Sequence, residues 1–401
     1  MKITILITAL LFAVPSFLTA QNAGKINSPV PLPIHAWIGP PANQTNYPRY
    51  KELADAGFTH SFSGFPNTEA MTKALNIAKV AGIKLFINIP ELHSDPEGTV
   101  KRFKDHPATA GYHLRDEPKT SMFGDLAAWA RRIRAVDDDH FCYINLFPNY
   151  ATPEQLGSPS YQEHVDEFIK TVPVKVLSFD HYPITTEGIR PEYYENLKII
   201  SEAAKKAGKP FWAFALAVAH GPYPIPSPAH LRHQVYCNLA YGAQGIQYFT
   251  YWTPESTRWD FHDGPIGIDG RRTVVYDRVK ALNKELRALS GVFVGSRILS
   301  VGHSGYVMPK GATPFETRLP FEEISTGGFE GVVSWFETNG RKYLMVVNGD
   351  MVNSMPLNVI LQRGHKADRV LKDGRLSNVN GSDIVMVGAG DAMLFTWLES
   401  K

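Results

Sequence analysis

The sequence predicts a (β/α)8 barrel followed by a small antiparallel β domain. Three observations carry that expectation. From Pro33 onward, short apolar runs rich in aromatic and β-branched residues alternate with helical patterns, which is the signature of βα units on a parallel sheet. Several of those helices end at a glycine just before the next apolar run, where a left-handed residue closes the last turn. After Gly295 the helical period stops and short strand patterns separated by turn dipeptides take over.

The apolar runs number eight, at 34–38, 59–65, 83–89, 111–115, 141–147, 174–179, 210–216 and 245–251. Helical patterns lie between them at 47–56, 68–81, 123–136, 193–207 and 228–241, and a last one covers 274–289. Gly57, Gly82, Gly208 and Gly245 are the expected glycine stops. Eight strands with intervening helices close a barrel, whereas an open doubly wound sheet requires no particular strand number. No Gly-rich phosphate fingerprint follows the first strand. Beyond the barrel, strands are expected at 331–337, 342–347, 357–361, 384–387 and 392–397. Asn339-Gly340, Asn348-Gly349-Asp350 and Asn380-Gly381 mark turns between them. The expected division is a signal at 1–20, a linker at 21–30, the barrel at 31–294 and the β module at 295–401. The module is assigned stabilisation rather than chemistry.

Lys2, the apolar stretch 3–18, Thr19-Ala20 and the polar Gln21 have the zones of a cleavable secretory signal, which places the protein outside the cell or in the periplasm. An uncleaved anchor is the alternative. No later run reaches the roughly 18 uncharged residues that a membrane span requires. Forty-one Lys and Arg against 39 Asp and Glu give a net charge of +2, too little field to gather nucleic acid or an anionic membrane. Neutral small or polymeric ligands fit better. Cys142 and Cys237 fall in a buried strand and an amphipathic helix, and read as two free thiols rather than a disulfide.

Barrels build their sites from the C-terminal ends of the strands, and here those ends are rich in polar and aromatic groups. They supply His35 and Trp37 from the first strand and Glu91 after the third. The fourth gives Arg115, Asp116 and Glu117, the fifth Asn145, and the sixth Asp180, His181 and Tyr182. His220 and Trp252 follow the seventh and eighth. Tyr and Trp faces cover the C–H surfaces of sugar rings, while carboxylates and amides bind hydroxyls. An oligosaccharide or glycan is therefore the expected partner. Asp116-Glu117 in the run Gly-Tyr-His-Leu-Arg-Asp-Glu-Pro (111–118) is the sharpest feature. A Glu in a partly desolvated crater has its pKa raised toward the protonation of a leaving oxygen. Pro118 predicts that extended geometry persists to Glu117. The bland alternative is a pair that caps the next helix or neutralises Arg115. Asp180 is a candidate nucleophile, base or hydroxyl ligand, or half of a structural Asp-His pair. Trp37 and Trp252 are candidate platforms for the sugar ring, or core aromatics. No His-Glu-x-x-His, Walker loop or Gly-x-Ser-x-Gly elbow occurs, so no metal or cofactor is expected.

On these residues the chain resembles the superfamily of barrel glycosidases that place an acid/base Glu at the end of strand four, commonly as Asn-Glu-Pro. Glu117 matches the acid/base, Asp116 stands where Asn is usual, and Trp252 matches the strand-eight aromatic. The resemblance implies a nucleophilic Glu on strand seven, but no carboxylate occurs between Lys209 and Trp252. Three readings stay open. In substrate-assisted catalysis the 2-acetamido group of an N-acetylhexosamine replaces the nucleophile, and the adjacent Asp-Glu pair is similar to that of β-N-acetylhexosaminidases and β-N-acetylgalactosaminidases; Asp116 would then orient the acetamide and Glu117 protonate the leaving oxygen. In the second, Asp180 is the nucleophile or base on a 2-hydroxy sugar, with Glu91 and Glu255 in reserve. The third is a barrel that binds glycans without cleaving them.

Overall fold

The computed structural model describes residues 24–26 and 30–398; the expected signal at 1–20 lies outside the described residues. Eight parallel strands form one sheet: β1 (Ile34–Trp37), β2 (His60–Phe62), β3 (Lys84–Ile87), β4 (Thr109–Asp116), β5 (Phe141–Asn145), β6 (Leu177–Phe179), β7 (Phe211–Leu216) and β8 (Gly245–Phe249). Each pairs with its sequence neighbours, and β1 pairs with β8. Between β5 and β6 the ladder shrinks to a parallel bridge from Leu146 to Phe179 and a bond from Leu146 N to Ser178 O of 2.8 Å. The barrel and the β domain after it are the architecture expected.

Helices α1 (Tyr47–Asp55), α2 (Thr68–Ala81), α3 (Pro96–Phe103), α4 (Phe123–Arg134), α5 (Tyr161–Thr171), α6 (Tyr193–Ala207), α7 (Pro228–Ala240) and α8 (Val274–Ala288) surround it. The periodic patterns did not single out α3 and α5. Both announce themselves by caps instead: Asp95 accepts from Gly98 N at 3.0 Å, and Ser160 from Glu163 N at 3.2 Å. Gly82 and Gly208 do close their helices in the left-handed region. Gly245 does not. The left-handed residue after α7 is Gly242 (φ 102°), while Gly245 opens β8, where a Cβ would lie 2.7 Å from the Trp212 ring. Its smallness serves close packing rather than a turn.

The barrel interior is filled by rings in place of the more usual branched aliphatics. Trp37, Phe86, Tyr143, Trp212 and Phe214 form one buried cluster. His35 stacks on Phe86 with centroids 5.0 Å apart.

The C-terminal strands are β9 (Arg297–Ser304), β10 (Phe321–Ser325), β11 (Gly331–Thr338), β12 (Arg341–Asn348), β13 (Met355–Leu361), β14 (Ala367–Val370), β15 (Leu376–Val379), β16 (Ser382–Val387) and β17 (Ala392–Leu398). They form a six-stranded sheet, β9-β11-β12-β17-β14-β15, and a three-stranded one, β10-β13-β16. Asn339 and Gly340 both take positive φ in the β11–β12 hairpin, as that tight turn demands. The domain docks on α7 through Ser334 Oγ, which donates to Ala240 O at 2.6 Å, and through Arg232, which pairs with Glu285 of α8 at 2.7 Å and Asp391 at 2.9 Å. Cys142 and Cys237 are buried free thiols.

Candidate active site

Strand β4 extends to Asp116, one residue beyond the expected run, and its pairing with β5 slips between His113 and Arg115. Glu117 N still bonds to Asn145 O at 2.8 Å, but Glu117 itself has φ 46°. The extended geometry expected from Pro118 is therefore wrong at this residue. A proline disfavours right-handed α conformation in the residue before it, and the chain turns through the left-handed region instead. That turn resolves a geometric difficulty, since strand neighbours normally point to opposite faces. Asp116 and Glu117 act on the same third carboxylate.

That carboxylate is Asp180, buried just after β6. One nitrogen ties it to β4: Asn145 Nδ2, at the end of β5, donates to Asp180 Oδ1 at 2.8 Å and to Asp116 Oδ1 at 3.1 Å. Asn145 is oriented in turn, because Ser178 Oγ donates to its Oδ1 at 2.9 Å and Gln247 Nε2 of β8 donates to Ser178 Oγ at 2.8 Å. Four strands are thus joined by one hydrogen-bonded floor.

Acidity is shifted across this floor. Burial, then the charge of Asp116, pushes the half-buried Glu117 up to about 7. Burial, then the charges of Glu117 and Asp116, raises Asp180 well above the usual carboxylate range, against the Asn145 hydrogen bond that favours its ionised form. Asp116 is raised by burial of its carboxyl and relieved by Asn145 and Arg115, although the residue as a whole keeps an exposed face. The three acids titrate as a set, because three charges this close cannot all form freely. Asn145 donates to Asp116 and Asp180, while no protein donor bonds the Glu117 carboxyl among the described residues. Glu117 is thus an acid raised to about 7 whose carboxyl has no protein donor to favour its charged form. An acid of this kind can protonate a bound oxygen at neutral pH.

Tyr182 stands over this floor, edge-on to Phe214 and Tyr223 and 5.5 Å from Phe249; after burial, the Asp180 charge is the largest influence on its phenol. His220 joins the same wall against Phe261 at 4.5 Å and Tyr223 at 4.8 Å. Trp37 lies beneath, buried against Phe62, His113 and Phe214. Asp116, Glu117, Asn145, Asp180, Tyr182, His220 and Trp37 are thus on one side of the barrel top or directly under it.

Four expected substrate ligands are placed elsewhere. His35 has no exposure and sits a layer deeper among Phe86, Tyr143 and Trp212. His181, the neighbour of Asp180, alternates to the outside of the barrel and packs on Tyr150 and Tyr193. Glu91 accepts from Thr68 N at 3.0 Å and Thr68 Oγ1 at 3.1 Å, so it caps α2. Trp252 packs in the layer between barrel and helices with the Arg49 guanidinium 5.2 Å from its ring. In each case strand-end position was legible in the sequence and side-chain direction was not.

Three residues that sequence reasoning passed over complete the wall: Tyr150 after β5, Arg190 after β6 and Tyr223 after β7. Arg190 lies over both rings, 4.7 and 5.6 Å from their centroids, and donates to the Tyr223 hydroxyl at 3.2 Å. No local pattern marks them, since they come from irregular loops. Among the described residues no group of three or more His, Cys, Asp or Glu side chains is arranged to hold a metal ion. A cavity of about 570 Å³ opens on the opposite face, lined by Lys209, Phe211, Gln244 and Arg297, away from the carboxylates.

A family model described as Glyco_hydro_42, β-galactosidase, matches residues 130–289. The match takes in Asn145, Asp180, Tyr182 and His220 and stops short of Asp116 and Glu117. Similar solved structures include β-galactosidase from Bacillus circulans sp. alkalophilus, with a TM-score of 0.62 at 11% identity over 91% of this chain and 99% of that one. A catalytic mutant of a GH42 β-galactosidase from G. stearothermophilus has a TM-score of 0.64 at 9% identity over 93% and 99%. The chain spans 60% of the β-galactosidase from the psychrophilic Marinomonas ef1, with 65% of its own length aligned, a TM-score of 0.48 and 11% identity. At such identities the likeness is one of fold. No curated protein sequence matches the chain. The family match within a barrel of this fold supports a glycoside hydrolase.

Proposed function

We propose that the chain hydrolyses the glycosidic bond of a β-galactoside-type sugar with a free 2-hydroxyl, Glu117 giving its proton to the leaving oxygen and Asp180 acting as the charged carboxylate on the other side of the bond. The observation that carries this is the Asn145 amide, which binds Asp180 and Asp116 with one nitrogen and so favours their charged forms, while the Glu117 carboxyl, raised to about 7, has no such donor among the described residues. The β-galactosidase description of the matched family and of the similar folds supplies the sugar class. As the bond breaks, positive charge grows on the anomeric carbon, and the negative floor stabilises it. Asp180 attacks that carbon or activates water against it; Glu117, now ionised, takes a proton from the incoming water if a covalent intermediate forms.

An aryl glycoside panel tests this. Wild-type protein should cleave the β-galactoside, Glu117→Gln should lose about 10²- to 10⁴-fold in kcat on natural linkages, and Asp180→Asn should lose at least as much. Full activity in Asp180→Asn sinks the assignment, and proton NMR of the first-formed anomer reports whether Asp180 attacks or activates water.

A second reading is substrate-assisted cleavage of a β-linked N-acetylhexosamine, with Asp116 orienting the acetamide. It is favoured by the adjacency of Asp116 and Glu117 on one side of the crater and by the absence of a carboxylate from 209 to 252. Cleavage restricted to aryl N-acetylhexosaminides, with inhibition by a thiazoline analogue, would establish it in place of the first. We further propose export through the signal at 1–20, to be checked by N-terminal sequencing of the mature protein.

A further inference from the structure

We infer that Arg190 is an anion-recognising residue of the substrate site, selecting a sugar that carries a carboxylate or sulfate group near the bond that Glu117 and Asp180 cleave. The inference rests on the function proposed above and narrows its substrate class.

Arg190 ends the loop that leaves β6, where its backbone N–H closes on Pro183 O at 2.8 Å after the small hairpin Ile184–Thr185 and Gly188–Ile189. Its two aromatic neighbours come from the adjacent strand-end loops, Tyr150 after β5 and Tyr223 after β7. The guanidinium therefore lies on the face of the barrel that holds the acids. Tyr223 in turn packs on Tyr182 at 6.0 Å, and the Asp180 charge is felt at the Tyr150 phenol.

This arginine has no counter-charge among the described residues and a buried nitrogen without an acceptor. It is half-buried, yet among the described residues its only side-chain hydrogen bond is the one to the neutral Tyr223 hydroxyl, and its Nε is buried with no acceptor at all. Nη1 has no protein partner and is not shut off from solvent. Arg232, also half-buried, is neutralised by Glu285 and Asp391, and Arg278, which like Arg190 has no ion pair among the described residues, donates instead to the Pro226 carbonyl at 2.7 Å. Taking a cation partly out of water without a partner is costly, and the two ring faces offset only part of that. The rings also fix the plane of the fork, so that little freedom is lost when a planar anion docks on it. A floor of three carboxylates would otherwise repel an anionic sugar, and Arg190 supplies an attractive wall. A neutral sugar needs no such charge.

The test uses the full-length enzyme and titration calorimetry at low salt with three monosaccharides that contain no bond to cleave: galacturonate, galactose 6-sulfate and galactose. Wild type should bind at least one of the two anions tenfold or more tighter than galactose; which one separates a uronic acid from a sulfate ester. Arg190→Gln should reduce that ratio to about twofold or less, and Arg190→Lys should keep part of it. A loop-clamping role for Arg190 would weaken all three sugars together and leave the ratio unchanged, which overturns the inference, as does a wild-type enzyme with no anion preference. If Arg190→Gln does not fold, Tyr223→Phe removes the hydroxyl that aims Nη2, and an undiminished ratio there is equally fatal. Turnover is followed in parallel on aryl β-galactoside and β-galacturonide: anion preference without Glu117-dependent turnover sinks the proposed function alone, and turnover without anion preference sinks this inference alone.

Discussion

Glu117 carries a backbone strain and an electrostatic one together. A non-glycine residue at φ 46° is held there at a cost of order 1 kcal/mol or more, and its carboxyl is pushed up to about 7 by burial and by Asp116. The pH dependence of both activity and stability follows. Activity should fall as pH rises through about 7, because the proposed acid loses its proton there. Asp116→Asn removes the neighbouring charge and should move that alkaline limb to lower pH in a kcat/KM profile; an unmoved limb assigns the acid to another residue. For stability, a folded pKa raised above the unfolded value means that the folded state holds more protons between about 4.5 and 7. Stability from this site is therefore complete below that window and lost as pH rises through it. Replacing Glu117 by Gln should raise the melting temperature relative to wild type more at pH 8 than at pH 5, measured by calorimetry.

Among the elements, the ends of β4, β5 and β6 matter more than any single side chain on them. Strand β7, where the resemblance placed a nucleophile, instead presents the buried apolar run Phe211–Leu216 to the core. Charge is concentrated on β4 and β6, and Asn145 of β5 is the link. Asn145→Ala deletes two hydrogen bonds to carboxylates, each worth about 1.5–3 kcal/mol. If one such bond is felt in the transition state, kcat/KM should fall roughly tenfold to 150-fold, with the pH optimum displaced because Asp180 loses the donor that favours its charge. A change confined to KM would mean that Asn145 only helps to bind the sugar. The local signals were uneven here. Asp116, Glu117, Asn145 and Asp180 were legible because they close apolar runs. Tyr150, Arg190 and Tyr223 were not, because the loops that carry them have no period to read.

For the molecule as a whole, histidines in and around the barrel store an acid sensitivity. His35 and His181 are buried and His60 and His113 half-buried, and the loss of water around the ring is the largest cause holding each below its ordinary value, His60, His113 and His181 at about 3. Neither ring nitrogen of His35 or His181 has a partner. The unfolded chain binds protons on these groups from about pH 6.5 downward while the folded chain does not, so stability is complete above that pH and drains away as pH falls, by up to about 1.4 kcal/mol per unit for each group. This opposes the trend from Glu117, Asp116 and Asp180, and the four histidines outnumber those three acids. The melting temperature should drop steeply between pH 6 and 4, and His35→Phe, which keeps the ring and removes the titration, should make the slope shallower. An unchanged slope would show that His35 does not titrate on unfolding.

The sequence by itself determined the barrel, the β module after it and the strand ends at which chemistry is placed, because strand period, caps and turn dipeptides are local properties that each segment carries alone. It also left β7 without an acid. Only the tertiary structure decided which strand-end groups look into the crater. Period-two alternation ends where a strand ends, so Asp180 points inward and His181 outward, Glu117 turns through a conformation that no local rule required, and Arg190 meets Tyr150 and Tyr223 only because barrel closure sets three loops side by side.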